Sequence, residues 1–519
     1  MPAAYSTPPN RKGFVRLNKS NLVSFRCAAW RGFVMVILLA SGILHAEDWP
    51  MFGRDKTRNA VSPEKNAPVE WDVKTGRNIK WTARLGGITV SEPIVAGGLI
   101  WIGTSNDEPR DSSIQGAGGV LACFRERNGE FLYQHVSTVT NGPLNRRSWA
   151  GMTCSPMVEG DHLWFVGAAM EILCLDTATL RSAGGRLKPV WRLDMQNDLG
   201  IHPAVDVMGG RGMCSLGAAY GDLIYVITGN GLDWSRTNVP APLAPALVCV
   251  NKNTGKLVWE DHSSGTNILF GEFASPLVIE AGGVAQVIAP QGDGWVRSFA
   301  AETGKLLWKF DINPKAAKRG DDRHVYYLDH RNFFLNSPVF HEGRVYVAGG
   351  RDVESGEGPG RLVCLDPSKR GDLSLELEDG PGGGKPNPNS GAVWHFDELG
   401  RTMSNVAIQD GLVVAVDFGG HVYCVDAATG RKLWKHDTRA NVRGAPLIAD
   451  GKIYIGNDDG DFCVFELARE KKLLFTTALG ATFYSSPIFA NGVLYLAAGD
   501  TLFAIQQGTS SRPTNPAKP

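Results

Sequence analysis

The chain has 519 residues in which 53 Lys plus Arg balance 53 Asp plus Glu, so no net field draws it to nucleic acid or acidic lipid, and partners must be recognised locally. Hydrophobic residues make up 43 % and glycines number 62, which suits many short strands joined by tight turns and excludes a fold of long helices.

Residues 1–46 read as an export signal. Arg11, Lys12, Arg16, Lys19, Arg26 and Arg31 precede an apolar run from Phe33 to Leu44, and Ala46 supplies a small residue at a cleavage point. The run is shorter than the roughly 20 residues that cross a bilayer; an uncleaved anchor is the competing reading. Cys27 lies before the run, where it does not serve as a lipid-attachment cysteine. The expected location is the periplasm or beyond.

Residues 47–507 read as one repeat array. Short apolar strands begin at Glu92-Pro93, Ser155-Pro156, Ser275-Pro276, Ser337-Pro338, Ala445-Pro446 and Ser486-Pro487, with Ser215-Leu216 and Asn405-Val406 as copies without the proline, eight in all. Each is followed by a turn and a second apolar strand, and the shortest period is about 40 residues, the spacing of four-stranded antiparallel propeller blades. The phrase Thr-Gly-basic-x-x-Trp ends copies at Trp259, Trp308 and Trp434, while Trp191, Trp394 and Tyr133 supply the ring elsewhere. Each ring is expected to cover the seam to the next blade while its N–H finds a backbone acceptor. The last copy, Ser485 to Gln506, runs out after three strands, and Thr75 to Trp81 repeats the phrase with one extra residue. The expected fold is therefore an all-β eight-bladed β-propeller, closed by an N-terminal strand that completes the last blade. Residues 508–519 read as a disordered polar tail.

Cys123, Cys174, Cys249, Cys364 and Cys424 hold one position of the third strand, where Ser298, Val464 and Ala504 stand in other copies. Equivalent residues of different blades point the same way and cannot pair, so the position calls for a small packed side chain. Cys463 falls one residue out of phase and is expected on the other side of its strand. Cys154 and Cys214 precede inner strands of neighbouring blades and could meet near the axis; the residues leave a disulfide open. The stretch Pro367 to Gly391 reads as a flexible excursion on the face opposite the channel mouth.

These phrases resemble the quinoprotein-type, PQQ-like repeat, shared by dehydrogenases that use pyrroloquinoline quinone (PQQ) and by BamB-like exported scaffolds of outer-membrane assembly. The resemblance covers nearly all of residues 47–507 and implies two functional readings. The preferred one is a non-catalytic binding or assembly scaffold of the bacterial envelope: monomeric, with a protein partner, peripheral association with the outer membrane and no cofactor. The alternative is a PQQ- and calcium-dependent oxidoreductase. Thr228-Gly229-Asn230 is similar to the dehydrogenase segment whose asparagine helps bind cofactor and calcium, which makes Asn230 the candidate ligand, and Glu272 is the nearest acid to the place of their catalytic aspartate. The chain lacks their adjacent cysteine pair, and Glu171 sits too close to Asp176 to match their calcium-binding glutamate. Read alone, Asn230 is a turn asparagine between Gly229 and Gly231.

Outer-to-inner and second-to-third connections of a propeller gather on one face around the channel mouth, and a ligand site is expected there. Arg147, Trp149, Arg211 and Arg443 lie in those loops, just ahead of inner strands, and join Asn230 as candidate cofactor-binding residues. Their charges make a positive funnel suited to an anionic ligand or acidic peptide, or else cap loop carbonyls and pair with aspartates. Asn457 to Asp461 looks like a calcium loop, but it lies between two strands, where Asp-Gly makes a hairpin turn. The histidines lack metal-site spacing.

Overall fold

The computed structural model describes residues 47–114, 118–138, 151–182, 187–204, 215–317, 331–351 and 359–510. Arg147, Trp149, Arg211, Cys214, residues 1–46 and residues 511–519 lie outside them.

The repeated phrase works because three parts of it act on one ring. Its glycine takes a left-handed turn, with φ of +71° at Gly255 and +73° at Gly430, and it packs face-on against the closing tryptophan of the preceding blade. A Cβ at Gly129, Gly255, Gly304 or Gly430 would come within 2.6–2.8 Å of Trp81, Trp191, Trp259 or Trp394 respectively. The same tryptophans donate Nε1–H to a backbone carbonyl of that next turn: Trp81 to Glu126 (3.0 Å), Trp191 to Lys252 (2.8 Å), Trp259 to Ala301 (2.9 Å), Trp394 to Ala427 (2.8 Å) and Trp434 to Ala468 (3.0 Å). Across the strand pair, each ring faces the small third-strand residue, as in Cys249↔Trp259, Ser298↔Trp308, Cys364↔Trp394 and Cys424↔Trp434. The cysteine position is thus a socket for the ring, and the described cysteines are buried free thiols. Cys154 is among them, and its suggested partner Cys214 is outside the described residues.

A Gly255→Ala variant tests this arrangement. It should lose about 2–3 kcal/mol in urea unfolding, from ring overlap added to backbone strain. Gly221→Ala, at φ +56° with nothing within 4 Å of the new carbon, should lose only the strain part, about 1 kcal/mol.

The strands assemble into eight four-stranded blades. Inner strands are Ile94–Ala96, Met157–Glu159, Ser215–Tyr220, Leu277–Ala281, Val339–His341, Ala407–Gln409, Leu447–Ala449 and Ile488–Ala490, for blades 1 to 8. Blade 8 takes its outer strand from Arg77–Arg84, paired antiparallel to Thr501–Ser510 with Trp81 opposite Ala504. The ring closes as the repeats require, and the third strand of blade 8 continues three residues past the expected end at 507.

The small residues ahead of the inner strands stitch neighbouring blades around the axis. Glu92 N–H donates to Ser155 Oγ (2.9 Å), Ser275 Oγ to Leu216 O (3.0 Å), Ser337 N–H to Asn405 Oδ1 (2.8 Å), Ser404 Oγ to Arg443 O (2.9 Å), Ala445 N–H to Ser486 Oγ (2.9 Å) and Ser485 Oγ to Ser91 O (2.8 Å). These bonds satisfy backbone groups where sheets converge too closely for water.

Inside that ring lies an element without a counterpart in the repeats. Residues Trp49 to Ser62 cross the axial channel, bonding inner strands in turn. Trp49 bridges Val95 in blade 1, Pro50 O accepts from Val158 N–H in blade 2 (2.8 Å), and Arg58 donates to Leu216 O in blade 3 (3.1 Å). Thr57 O accepts from Phe340 N–H in blade 5 (2.9 Å), the Asn59 amide makes two bonds with Ile408 in blade 6, and Val61–Ser62 adds parallel to the inner strand of blade 7. Glu64 then accepts from Asn491 and Gly492 N–H in blade 8. Met51 packs on the apolar cluster shared by blades 3 and 4.

Pro367 to Gly391 folds differently from its expected course. It leaves the face opposite the mouth, but then lies along the rim of blade 4 rather than projecting from it. Gly371–Asp372 pairs parallel to Trp308–Lys309, Leu373 is fully buried, and Asn387 Nδ2–H bonds Asp372 O and Ser374 O. The open edge and apolar flank of blade 4 supply the partner that a free excursion would lack.

Candidate functional site at the channel mouth

Second-to-third loops meet outer-to-inner loops on one face through short bridges, Pro203↔Asn230, Gly231↔Gly271, Phe333↔Gly350 and Pro359↔Gly400. The densest junction lies between blades 3 and 4 and contains both residues that the resemblance singled out. Glu272 N–H donates to Asn230 O at 3.0 Å.

Asn230 is 1 % exposed. Its Oδ1 accepts from His202 N–H (3.1 Å) and its Nδ2–H donates to Ala241 O (3.0 Å), so one amide ties together the loops before and after it. Asn230 suits the role because a short amide offers a donor and an acceptor where the glycines on either side admit close backbone approach.

Glu272 is fully buried. Its Oε2 accepts from Gly292 N–H at 2.8 Å, and behind it lie Asp261, Gln291, Asp293 and Arg297. The Arg297 guanidinium clasps Asp293 at 3.0 and 2.6 Å and also bonds Gln291 Oε1, while Gln291 Nε2–H donates to Asp261 Oδ2 at 2.7 Å. Burial, reinforced by the nearby Asp293 carboxylate, pushes the Glu272 carboxyl up to about 8. It therefore carries a proton at neutral pH. The Ser264 hydroxyl draws this pKa partly back down, yet Ser264 Oγ and Glu272 Oε1 complete no well-aligned hydrogen bond.

Arg443 is stacked between Phe418 (4.9 Å) and Tyr484 (4.6 Å) and pairs through Nε with Asp458 at 2.9 Å. Its charge is engaged in stitching blades 6 to 8 together. Asn457 Oδ1 accepts from Asp461 N–H (2.9 Å), so the calcium-like stretch is a capped hairpin turn whose Asp458 faces Arg443. Arg147, Trp149 and Arg211 belong to loops outside the described residues.

Glu92 and Arg58 escaped sequence reasoning. Glu92 stands where most other inner strands begin with serine, and its Oε1 accepts from Trp49 Nε1–H (2.7 Å) and Gly53 N–H (2.8 Å), pinning the channel segment. Burial raises its carboxyl to about 7 and lowers Arg58 to about 10. An acid in place of serine ahead of Pro93 was the available signal.

A bound PQQ with calcium would need an anionic carboxylate and an amide oxygen turned toward the cation. Asn230 Oδ1 is already an acceptor inside the loop junction, Glu272 Oε2 is already bonded to Gly292 N–H, and the positive charge among these carboxylates is Arg297. Among the described residues, His, Cys, Asp and Glu form no group of three placed to hold a metal. The described residues at this junction do not fit a calcium-held quinone.

Residues 292–382 and 384–472 match the family model described as outer membrane protein assembly factor BamB. The quinoprotein alcohol dehydrogenase PedH of Pseudomonas putida is 27 % identical over 169 residues, 30 % of this chain and 22 % of PedH. The quinohemoprotein alcohol dehydrogenase ADH-IIG of Pseudomonas putida is 37 % identical over 65 residues, 11 % of this chain and 9 % of that protein. These matches thus span less than a quarter of either dehydrogenase. Among solved structures, BamB from Moraxella catarrhalis superposes with a TM-score of 0.51 at 13 % identity, covering 82 % of this chain and 99 % of that one, a likeness of fold. Residues 292–472 thus carry PQQ-like, BamB-like β-propeller repeats, in a chain whose eight closed blades share that fold and which is distantly homologous to the quinoprotein alcohol dehydrogenases.

Proposed function

We propose that this protein is a non-catalytic, exported propeller that binds a protein partner in the bacterial cell envelope through the loops of its channel mouth. The observation that carries this reading is the internal engagement of Asn230 and Glu272. Both are buried against other loops of the junction, and neither side chain is accessible to a substrate. The matched BamB family model supports the same reading. A rigid disc with stitched blades recognises a partner by shape and local charge, at loops or by strand addition to an open outer edge. Partial similarity to PedH, with Asn230 and Glu272 adjacent, favours the PQQ- and calcium-dependent oxidoreductase as the second reading.

Titration of the purified protein with PQQ and calcium separates the two. The binding reading expects no calcium-dependent change in cofactor absorbance and no rise in Tm. A calcium-dependent stabilisation at micromolar PQQ, abolished by Asn230→Ala, would overturn it.

A further inference from the structure

Two repeat positions change chemical class only at the seam where the ring closes. The first is the residue just before the closing aromatic ring. It is the bulged residue of every outer strand, as where Val258 is passed over between Cys249↔Trp259 and Val250↔Leu257. A bulge turns its side chain away from the ladder. This residue is leucine or valine in blades 1 to 7, but in blade 8 it is Lys80, between the pairs Ile79↔Ile505 and Trp81↔Ala504. The second position lies two residues after the small third-strand residue. It is acidic or uncharged in blades 2 to 8, as in Asn251 and Asp426, but it is Arg125 in blade 1.

Lys80 and Arg125 come together. With Arg127, Glu126 and Gly97–Leu99 they line an open hollow of ≈ 430 Å³, formed by strand turns on the face opposite the channel mouth. The lone carboxylate on its wall is committed to the seam, with Glu126 Oε1 accepting from Asn491 Nδ2–H (3.0 Å) and Tyr495 O–H (3.2 Å). Arg125 meets Glu130 through Nε at 2.9 Å, which leaves its η nitrogens for another acceptor. Lys80 and Arg127 make no ion pair within 4 Å among the described residues; Lys80 lies in the field of Glu126 and Arg127 in that of Glu130. Three cations converging on a space of this size match a compact, multiply charged oxyanion better than a neutral ligand.

We propose that this hollow at the closing seam binds the phosphate group of a small molecule or of a lipid headgroup. The test uses the full chain in two arms. One titrates inorganic phosphate and glycerol 3-phosphate by calorimetry and thermal unfolding; the other measures co-sedimentation with phosphatidylglycerol vesicles against phosphatidylcholine vesicles. Saturable binding is expected in at least one arm, and the arm that responds identifies the source. Lys80→Leu and Arg125→Asn install residues that other blades use, so the seam should survive, as unchanged circular dichroism would show. Each should weaken binding ~10-fold, while Lys305→Leu on blade 4 leaves it unchanged. No saturable binding in either arm, or undiminished affinity in both seam variants, overturns the proposal.

Discussion

Trp308→Ala is expected to lower the free energy of unfolding by about 3–5 kcal/mol, the largest loss among the closing tryptophans. The ring is fully buried, whereas Trp81, Trp394 and Trp434 keep 7–8 % of their surface. Its Nε1–H does not reach the next blade directly, because the turn that would accept it in blade 5 is occupied by the long insertion. It donates instead to Gln286 Oε1 at 2.9 Å, and Gln286 Nε2–H carries the link on to Pro367 O at 3.2 Å. Ser298 Oγ donates to the same Gln286 oxygen at 2.7 Å. Alanine would leave a ring-sized void and a buried amide missing one partner, which relaxation fills only in part. Trp308→Phe keeps most of the packing and should cost about 1–2 kcal/mol. Urea midpoints provide the measurement. Should Trp308→Ala cost no more than Leu306→Ala, at the 45 % exposed rim position, the seam would not be what holds blades 4 and 5 together.

Glu272→Gln is expected to stabilise the protein above neutral pH. In the folded state burial and Asp293 hold the Glu272 carboxyl at about 8, whereas in the unfolded chain an ordinary glutamate releases its proton near 4.3. Between these values the native state binds one more proton than the unfolded state, so stability falls as pH rises. The protonated contribution is complete below about pH 4 and is lost by the time pH has risen through 8. The separation corresponds to on the order of 5 kcal/mol, an upper figure because a buried site relaxes when it ionises. Glutamine keeps the acceptor for Gly292 N–H and removes the titration. Unfolding free energies from pH 5 to 9 should therefore fall less steeply in the variant, the two proteins diverging most at pH 8–9. Glu92, raised to about 7, will leave a residual slope in both. Parallel pH profiles would mean that Glu272 is ionised in the folded protein.

The fold was legible because it is written eight times. Trp259, Trp308 and Trp434 recur with their glycines, Cys249 and Cys424 recur opposite them, and the partial copy at Thr75–Trp81 announces closure. What occurs once was less legible. Trp49 to Ser62 has no periodic pattern, and its bonds run to strands up to several hundred residues away, so no local spacing reveals it. Glu92 could have been found as an acid at a serine position, just as Lys80 and Arg125 stand out when copies are laid side by side. Asn230 and Glu272 were found, but their roles were not. A resemblance locates residues, whereas the bonds to His202, Ala241 and Gly292 decide whether they are free to meet a ligand. The rim course of Pro367–Gly391 depended on the open edge of blade 4, which local composition does not report.

The axial segment also fixes an order of assembly. Trp49 to Glu64 and the closing strand Arg77–Arg84 are synthesised before any blade, yet their partners include Ile448, Asn491 and Ala504 near the other end. These early segments must therefore wait for blades 7 and 8, and the ring locks only when the two ends of the propeller meet. Contacts of such long sequence separation slow folding. Opening the ring requires withdrawing a segment, Trp49 to Glu64, that is hydrogen-bonded to seven blades, so once formed it should persist as much by a slow escape rate as by depth of free energy.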